Sequence, residues 1–340
     1  NKYSLPYFDF IIGNPPYNID GKIKTPKNII QNKKEDGKTI YIEFVNKSLE
    51  LLHEDGFLNL IIPNLWLKPD KAGLYNTFTN LKIIKLNSLS TSESMKLFHY
   101  QAQTPTCFFL IQKRDTSLNE EKELNLYDKY SNSYIKYNLI KDYPIPTHGI
   151  NIINKLMYYV KKYGHIKFFK TNSASKKAII SNDKNNYSNI KTCYINKLTP
   201  IMVYNYSDIP LSYYNIKKLV LPHKMYGIPY FDISGKYGIS TRDNYVITNS
   251  NYNVDELLEI QYFLSSKFAL FIFSVANYRM RFLEKYAFQF IPDITKLPYF
   301  PDFKNMSREK RDEKIGSYFN FSEKEMEIIE NSCKNYEFFV

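Results

Sequence analysis

Apolar runs and amphipathic segments alternate along the first 115 residues of the chain. An apolar run at 7–13 ends in a glycine and predicts a buried strand. From Tyr41 to Leu52, apolar residues recur every three or four positions with polar residues opposite them, which predicts a helix. The other elements predicted here are a helix at 74–81 and strands at 57–63, 83–86 and 106–111. This order predicts an α/β fold containing half of a doubly wound sheet.

The pattern changes after a charged and then tyrosine-rich segment, 116–145, which we interpret as a linker between domain 1–115 and domain 146–340. The second domain has short strands, polar loops and two clear helices, so an α+β fold is expected there. One helix, at 150–163, is amphipathic, and the other, at 255–276, is apolar on most sides and should be buried. The charged C-terminal tail is predicted to be helical, with a capping box beginning at Ser322.

Charge and composition narrow the function classes. A formal net charge of +12 favours a polyanionic partner, although an AT-rich genome also enriches lysine and tyrosine. The three cysteines are far apart without the spacing of metal ligands, so we expect no metal site. The longest apolar stretch, at 268–276, is about half the length of a membrane helix. We therefore expect a soluble, cytoplasmic protein without a membrane partner.

The most informative residues are Asn14, Pro15, Pro16 and Tyr17, which directly follow the first predicted strand and are called the NPPY loop below. Methylation of an exocyclic amino group needs acceptors that hold its N–H groups and turn the nitrogen lone pair outward. The Asn14 side-chain oxygen and the Pro15 carbonyl can supply them, because Pro16 biases Pro15 toward an extended backbone. Tyr17 offers a ring on which an unstacked base can lie. The alternative is a strand followed by an ordinary proline turn.

A methyl donor usually binds a glycine-rich turn and an acidic residue that contacts the ribose. The chain contains no Gly-x-Gly, and its closest glycine pair, Gly235 and Gly238, lies in a polar loop. We therefore expect the donor-binding residues to lie upstream of residue 1, so that the chain is a fragment or one half of a split enzyme. The first strand would then present a hydrophobic edge.

Several motifs occur in a characteristic order: the NPPY loop, a helix, the run from Gly56 to Pro63, a second helix, Phe98 and a Thr-Pro-Thr sequence entering a strand. This order resembles the gamma-class N6-adenine DNA methyltransferases of restriction-modification systems. The resemblance implies a class I, Rossmann-like methyltransferase sheet, S-adenosyl-L-methionine as cofactor and a flipped adenine held by Asn14, Pro15 and Tyr17. It also implies that Phe98 contacts the target base and that Pro63, with Asn14, lies near the cofactor.

The same resemblance implies that 146–340 is a target-recognition domain for double-stranded DNA. Residues 238–247 resemble the strand pair that often precedes the buried helix of such domains. A few basic residues lie beside aromatic ones or in this strand pair, and we expect them to contact DNA: Arg242, Arg279, Arg281 and Lys285. The alternative for these residues is a solvated face or an intramolecular pair such as Arg281 with Glu284.

Other functions remain open at this point. The chain could be a DNA-specificity subunit without its own donor site, or a methyltransferase acting on RNA or protein glutamine. Its partners could include a missing N-terminal half, or a nuclease or specificity subunit. A metal-dependent nuclease site can also be written from Asp293, Asp302 and Lys304, although two prolines interrupt that sequence.

Overall fold

The computed structural model describes residues 7–19, 39–100, 104–118, 121–184, 186–196, 199–223, 229–279 and 283–333. The chain forms two compact units. Unit 1 contains residues 1–150 and the short segment 278–280, whereas unit 2 contains residues 151–277 and 281–340. The chain therefore leaves unit 1, builds most of unit 2, returns to unit 1 for three residues and then completes unit 2.

Unit 1 is built on a six-stranded mixed sheet with the strand order β1-β2-β4-β3-β5-β6. Strands β1, β2, β3 and β5 run in one direction, while β4 and β6 run in the other. The strands are β1 (Phe8–Gly13), β2 (Leu52–Pro63), β3 (Leu81–Leu89), β4 (Thr106–Asp115), β5 (Glu121–Asp128) and β6 (Ser133–Ile140). The helices are α1 (Tyr41–Leu51), α2 (Leu74–Thr79) and α3 (Thr91–Leu97). The predicted α/β class is confirmed.

Within the described residues, β1 is an end strand and pairs only with β2, in parallel. The apolar side chains on one of its faces are exposed, with Phe10 at 50% and Ile12 at 73% of their full accessible area, and Ile11 on the other face is half-buried. The burial predicted for this run is therefore wrong for the described part of the chain. A parallel strand is normally covered on both faces and paired on both sides, so β1 presents the hydrophobic edge expected from the sequence.

The segment 116–145, interpreted as a linker from its composition, instead contains β5 and β6. These two strands form an antiparallel hairpin. Strand β5 pairs in parallel with β3, at Lys85 and Leu86 of β3. The structure differs from the prediction because buried side chains alternate with more exposed ones in both strands, with Leu124 and Leu126 buried in β5 and Tyr137 and Leu139 buried in β6. The alternation was not evident from the sequence, because tyrosine and charged residues occupy positions that alternate with the buried ones. The first unit consequently extends to residue 150.

Three aromatic rings fill the core of unit 1. Trp66 packs edge-on against Phe78 and Phe109, with ring centroids 4.8 Å and 5.5 Å apart. The indole N–H of Trp66 donates to the Cys107 sulfur at 3.1 Å, so the polar atom of this buried ring is satisfied. Trp66 lies in a 3-10 turn directly after β2, and its burial fixes the chain that follows the end of that strand.

Unit 2 contains two four-stranded sheets, with the orders β13-β9-β10-β8 and β12-β11-β14-β7. Residues from both sheets, Ile190, Val220, Ile239 and Val246, form a common buried cluster. The strands are β7 (Phe169–Lys170), β8 (Ile180–Ser181), β9 (Tyr187–Asn196), β10 (Thr199–Ser207), β11 (Lys218–Pro222), β12 (Tyr230–Asp232), β13 (Gly238–Ile239) and β14 (Asn244–Thr248). The helices are α4 (Ile150–Tyr163), α5 (Val254–Leu264), α6 (Lys267–Val275), α7 (Arg308–Tyr318) and α8 (Glu323–Cys333).

A strand pair and a helix of unit 2 were predicted from the sequence. The predicted pair at 238–247 corresponds to β13 and β14, which lie in different sheets, because β13 joins β9 and β14 joins β11. The helix predicted at 255–276 is two helices. Ser265 caps the end of α5, and Ser266 caps the start of α6 by accepting from the Ala269 N–H. By contrast, the helix at 150–163 and the capping box at Ser322 are confirmed.

No single helix among the described residues combines the length and the apolar composition of a membrane span. Helices α5 and α6 have the required length and apolar composition only when they are counted together, and the chain bends by 72° between them.

A fully buried ion pair joins β11 and β12. The Lys218 ammonium donates to the Asp232 carboxylate at 2.6 Å, and both side chains are at most 1% exposed. The Lys218 ammonium also donates to the backbone carbonyls of Tyr213, Ile216 and Tyr237. Because every donor has a partner, the cost of burying the charge is offset by an intact network.

We expect Lys218→Met to lower the free energy of unfolding by about 3–5 kcal/mol, because it leaves the Asp232 carboxylate buried without its counter-charge. Urea denaturation followed by circular dichroism measures the change. The control is Lys217→Met, since this neighbouring lysine is exposed and its substitution should have little effect. An equal effect of the two variants would contradict the assigned role of the pair.

Candidate active site

The NPPY loop lies at the carboxyl end of β1, where the chain leaves the sheet. Asn14 and Pro16 are exposed, Pro15 is buried and Tyr17 is half-buried. The ends of β2 and β3 and the start of β4 lie at the same edge, because Pro63 and Leu89 both pair with Thr106. The loop is therefore at an open edge of the sheet, with the Asn14 carboxamide accessible from solvent.

The chain that follows the loop is tied to the start of α1. The Tyr17 carbonyl accepts a hydrogen bond from the Ile40 N–H at 3.1 Å, and Asn18 pairs with Thr39 in an isolated antiparallel bridge. The Tyr17 ring meets the ring of Tyr41 edge-on, with centroids 6.3 Å apart and planes at 73°. Tyr41 is the first residue of α1 and is 3% exposed. Helix α1 therefore fixes the orientation of the Tyr17 ring.

The Tyr17 hydroxyl is buried and has no hydrogen-bond partner among the described residues. Burial raises the pKa of Tyr17, and the nearby Cys107 thiol raises it further. The phenol therefore stays neutral at physiological pH.

Asn64 connects the ends of three strands. It follows Pro63, the last residue of β2, and is 1% exposed. Its backbone N–H donates to the Pro105 carbonyl at 3.0 Å, and its side-chain N–H donates to the Ser88 hydroxyl at 2.7 Å. Because Ser88 is in β3 and Pro105 precedes β4, Asn64 fixes the spacing of these strand ends beside the NPPY loop.

Phe98 lies at the same edge, in the connection between β3 and β4. It caps the C-terminus of α3 and is half-buried. The start of α3 has a capping box between Ser90 and Glu93, and the Ser94 hydroxyl is 2.9 Å from that of Thr106. The sequence reasoning missed this helix, although the Ser-x-x-Glu spacing was a usable signal.

The four basic residues predicted to contact DNA do not form one group. Arg242 and Lys285 are exposed in unit 2, and Lys285 lies over the Tyr286 ring at 4.7 Å. Arg281 lies outside the described residues. Arg279 is exposed and belongs to unit 1, so its predicted place in the second domain is wrong. The reason is the neighbouring residue: Tyr278 is fully buried in unit 1, with its hydroxyl donating to the Ile145 carbonyl at 2.8 Å.

Arg279 is close enough to Tyr41 for its charge to act on the phenol. Burial raises the pKa of Tyr41, Asp70 and Cys107 raise it further, and the positive charge of Arg279 lowers it. Tyr41 therefore has charges of both signs near it, and its own ring holds the ring of Tyr17.

The described residues do not assemble the alternative nuclease site. The Asp293 carboxylate is buried and bonded to Lys296 at 2.9 Å and to the Tyr252 hydroxyl at 3.3 Å, whereas Asp302 is exposed. In the described part of the chain, no three His, Cys, Asp or Glu side chains are placed to hold a metal ion.

These residues also do not form a complete pocket for a methyl donor. The strand ends carry Asn14, Pro63 and Asn64, but the chain has no Gly-x-Gly turn to hold a nucleoside.

We expect Tyr17→Phe to leave the free energy of unfolding unchanged or to raise it by up to about 1 kcal/mol, because it removes a buried hydroxyl without a partner. The matched control is Tyr75→Phe. The buried Tyr75 hydroxyl donates to the Tyr143 carbonyl at 2.5 Å, so its loss should cost about 1 kcal/mol. Urea denaturation followed by the fluorescence of Trp66 measures both. Destabilisation by Tyr17→Phe would show that its hydroxyl has a partner in solution.

Comparison with known proteins identifies the part of the chain that carries the NPPY loop. Residues 6–98 match the family of Eco57I restriction-modification methylases. The type II restriction enzyme and methyltransferase RM.Eco57I of Escherichia coli is 29% identical over 169 residues, and the type II methyltransferase M.TthHB8I of Thermus thermophilus is 37% identical over 82 residues. These matches cover 44% and 21% of this chain.

The chain spans only 16% and 19% of the length of these two relatives. Among solved structures, the type IIL restriction-modification enzyme MmeI in complex with DNA aligns with 92% of this chain over 54% of its own, with 11% identity and a TM-score of 0.42. A fold likeness at that score is too slight to support a conclusion. The family match over residues 6–98 and both relatives confirm the predicted resemblance to the DNA methyltransferases of restriction-modification systems.

Proposed function

We propose that the protein takes part in site-specific methylation of DNA, with the N6 amino group of a flipped adenine as the acceptor, in a restriction-modification system. The observation that carries the proposal is the NPPY loop at the open end of β1, within the segment that matches the restriction-modification methylases. Asn14 is exposed there and Tyr17 is held by α1. A proline turn with only a structural role would not need an exposed carboxamide at this place.

The role of each residue follows from the chemistry of the amino group. The lone pair of an adenine amino nitrogen is delocalised into the ring and is a poor nucleophile. In the proposal, the Asn14 side-chain oxygen and the Pro15 carbonyl each accept one N–H, which turns the lone pair toward the donor. The Tyr17 ring stacks on the flipped base, and such stacking contributes about 1–3 kcal/mol. Phe98 is proposed to contact the same base from another side.

S-adenosyl-L-methionine is the proposed cofactor and supplies the methyl group when bound. Asn14 and Pro63 are proposed to lie beside it, since both end parallel strands at the same edge. The missing Gly-x-Gly means that this chain's own residues do not account for the whole cofactor site. Residues from elsewhere in the protein, or from a partner subunit, are proposed to complete it.

Double-stranded DNA is the proposed partner. The formal charge of +12 favours a polyanion, and each phosphate neutralised by the protein releases counterions. Unit 2 is proposed to recognise the target sequence, with the exposed Arg242 and Lys285, and Arg281, contributing contacts. A substrate of this kind also implies a cytoplasmic location.

We expect Asn14→Ala to lower the rate of methyl transfer by about 10²–10³, because it removes one of the two acceptors that activate the amino group. Transfer of a tritiated methyl group by the full-length protein measures the rate, and mass spectrometry of the digested DNA identifies the modified base. Asn76→Ala is the matched control, since Asn76 is an exposed asparagine on α2.

Two results would contradict the proposal. One is full activity of Asn14→Ala under conditions in which the control is also active. The other is a methyl group found on cytosine, on RNA or on protein glutamine instead of adenine in DNA.

A further inference from the structure

The segment 278–280 is the part of the C-terminal half that returns to unit 1, and its place there is fixed by hydrogen bonds. The Tyr278 hydroxyl donates to the Ile145 carbonyl at 2.8 Å, and the Ile145 N–H donates to the Leu67 carbonyl at 2.7 Å. The Leu67 N–H in turn donates to the Asn64 carbonyl at 3.0 Å. The segment is thereby joined to the turn that follows β2, at the sheet edge that carries the NPPY loop.

Arg279 is positioned by this anchor. The Tyr278 side chain is fully buried, whereas the adjacent Arg279 is exposed. Its charge acts on Tyr41, whose ring packs against that of Tyr17. The hydrogen bonds of Tyr278 therefore place Arg279 in unit 1, next to a segment that is joined to the turn after β2 at the sheet edge of the NPPY loop.

A guanidinium at this place has a specific use if the NPPY loop binds a flipped base. When a nucleotide rotates out of the duplex, the phosphates on either side of it move with its sugar toward the active site. Arginine matches phosphate well, because its planar fork can donate two parallel hydrogen bonds to two phosphate oxygens. A contact of this kind forms only with the flipped nucleotide, so it favours flipping over simple duplex binding.

We propose that Arg279 binds a phosphodiester adjacent to the target adenine and so holds the flipped nucleotide against Tyr17. This inference rests on the proposed function. It assigns Arg279 to the active site, whereas the sequence pattern grouped it with residues that contact the DNA groove. Tyr278 is the positioning residue that holds Arg279 there.

The first test uses the full-length protein and duplexes in which 2-aminopurine replaces the target adenine, since its fluorescence rises when the base is unstacked. We expect Arg279→Ala to reduce the fluorescence gain at saturating protein by about tenfold or more. Arg279→Lys should recover only part of it, because an ammonium cannot make the paired contact. Duplex affinity should fall much less than the fluorescence gain.

The matched control is Arg114→Ala. Arg114 is also an exposed arginine of unit 1, but it lies near the end of β4 that is remote from Thr106, beside Asp55. We expect this variant to flip the base as the wild type does. An equal loss in both variants would show a general effect of charge and would overturn the assignment of Arg279.

The second test replaces one phosphate at a time near the target by an uncharged methylphosphonate. In the wild type, neutralising the phosphate that Arg279 binds should reproduce the loss of fluorescence. In Arg279→Ala, the same replacement should have no further effect, because the two changes remove one contact. Additive losses at every position tested would overturn the inference.

The two tests separate failure of this inference from failure of the proposed function. If the wild type flips and methylates its target but Arg279→Ala does so equally well, the inference on Arg279 is wrong and the proposed function stands. If the wild type methylates a duplex but produces no fluorescence gain on the matching duplex with 2-aminopurine at the target position, base flipping itself is absent and both fail.

Discussion

The position of the NPPY loop depends on contacts that the chain makes after the loop. A strand at the end of a sheet is paired on one side only, so β1 cannot by itself hold the residues that follow it. The hydrogen bond from Ile40 to the Tyr17 carbonyl and the contact between the Tyr17 and Tyr41 rings supply the missing constraint. The loop is thus held between a strand and the first turn of a helix, which leaves Asn14 exposed while Tyr17 stays oriented.

Buried polar groups extend this constraint across the sheet edge. Asn64 donates hydrogen bonds to Ser88 in β3 and to Pro105, which precedes β4. The Asn64 carbonyl also accepts from Leu67, which begins the series of hydrogen bonds that leads to Tyr278. Each of these groups would be costly to bury without a partner, so the strand ends and the segment 278–280 stabilise one another. The short segment is in this way part of the sheet edge that carries the NPPY loop, although more than a hundred residues separate it from the rest of unit 1.

Sequence patterns predicted the elements whose structure is determined by interactions between neighbouring residues. The strand β1, the helices α1 and α4 and the capping box at Ser322 each follow from neighbouring residues, and so does the choice of the NPPY loop as candidate site. Long-range pairing determines what the sequence did not reveal. Whether Leu124 and Leu126 belong to a linker or a strand depends on β3, and the break at Ser266 depends on packing around both helices. The contacts of Tyr17 with Tyr41 and of Tyr278 with Ile145 join residues that are far apart in the sequence, so the periodicity of the sequence cannot predict them.

The three-residue return of the chain sets a rule for building hybrid proteins in which unit 2 is exchanged. Exchanging everything after residue 150 for the corresponding part of a relative would also remove Tyr278, and with it the hydrogen bond to Ile145. A graft should instead replace 151–277 and 281–340 and retain 278–280 from the recipient. Hybrids joined at a single point would then lose an anchor at the sheet edge of the NPPY loop, even if the imported half folds.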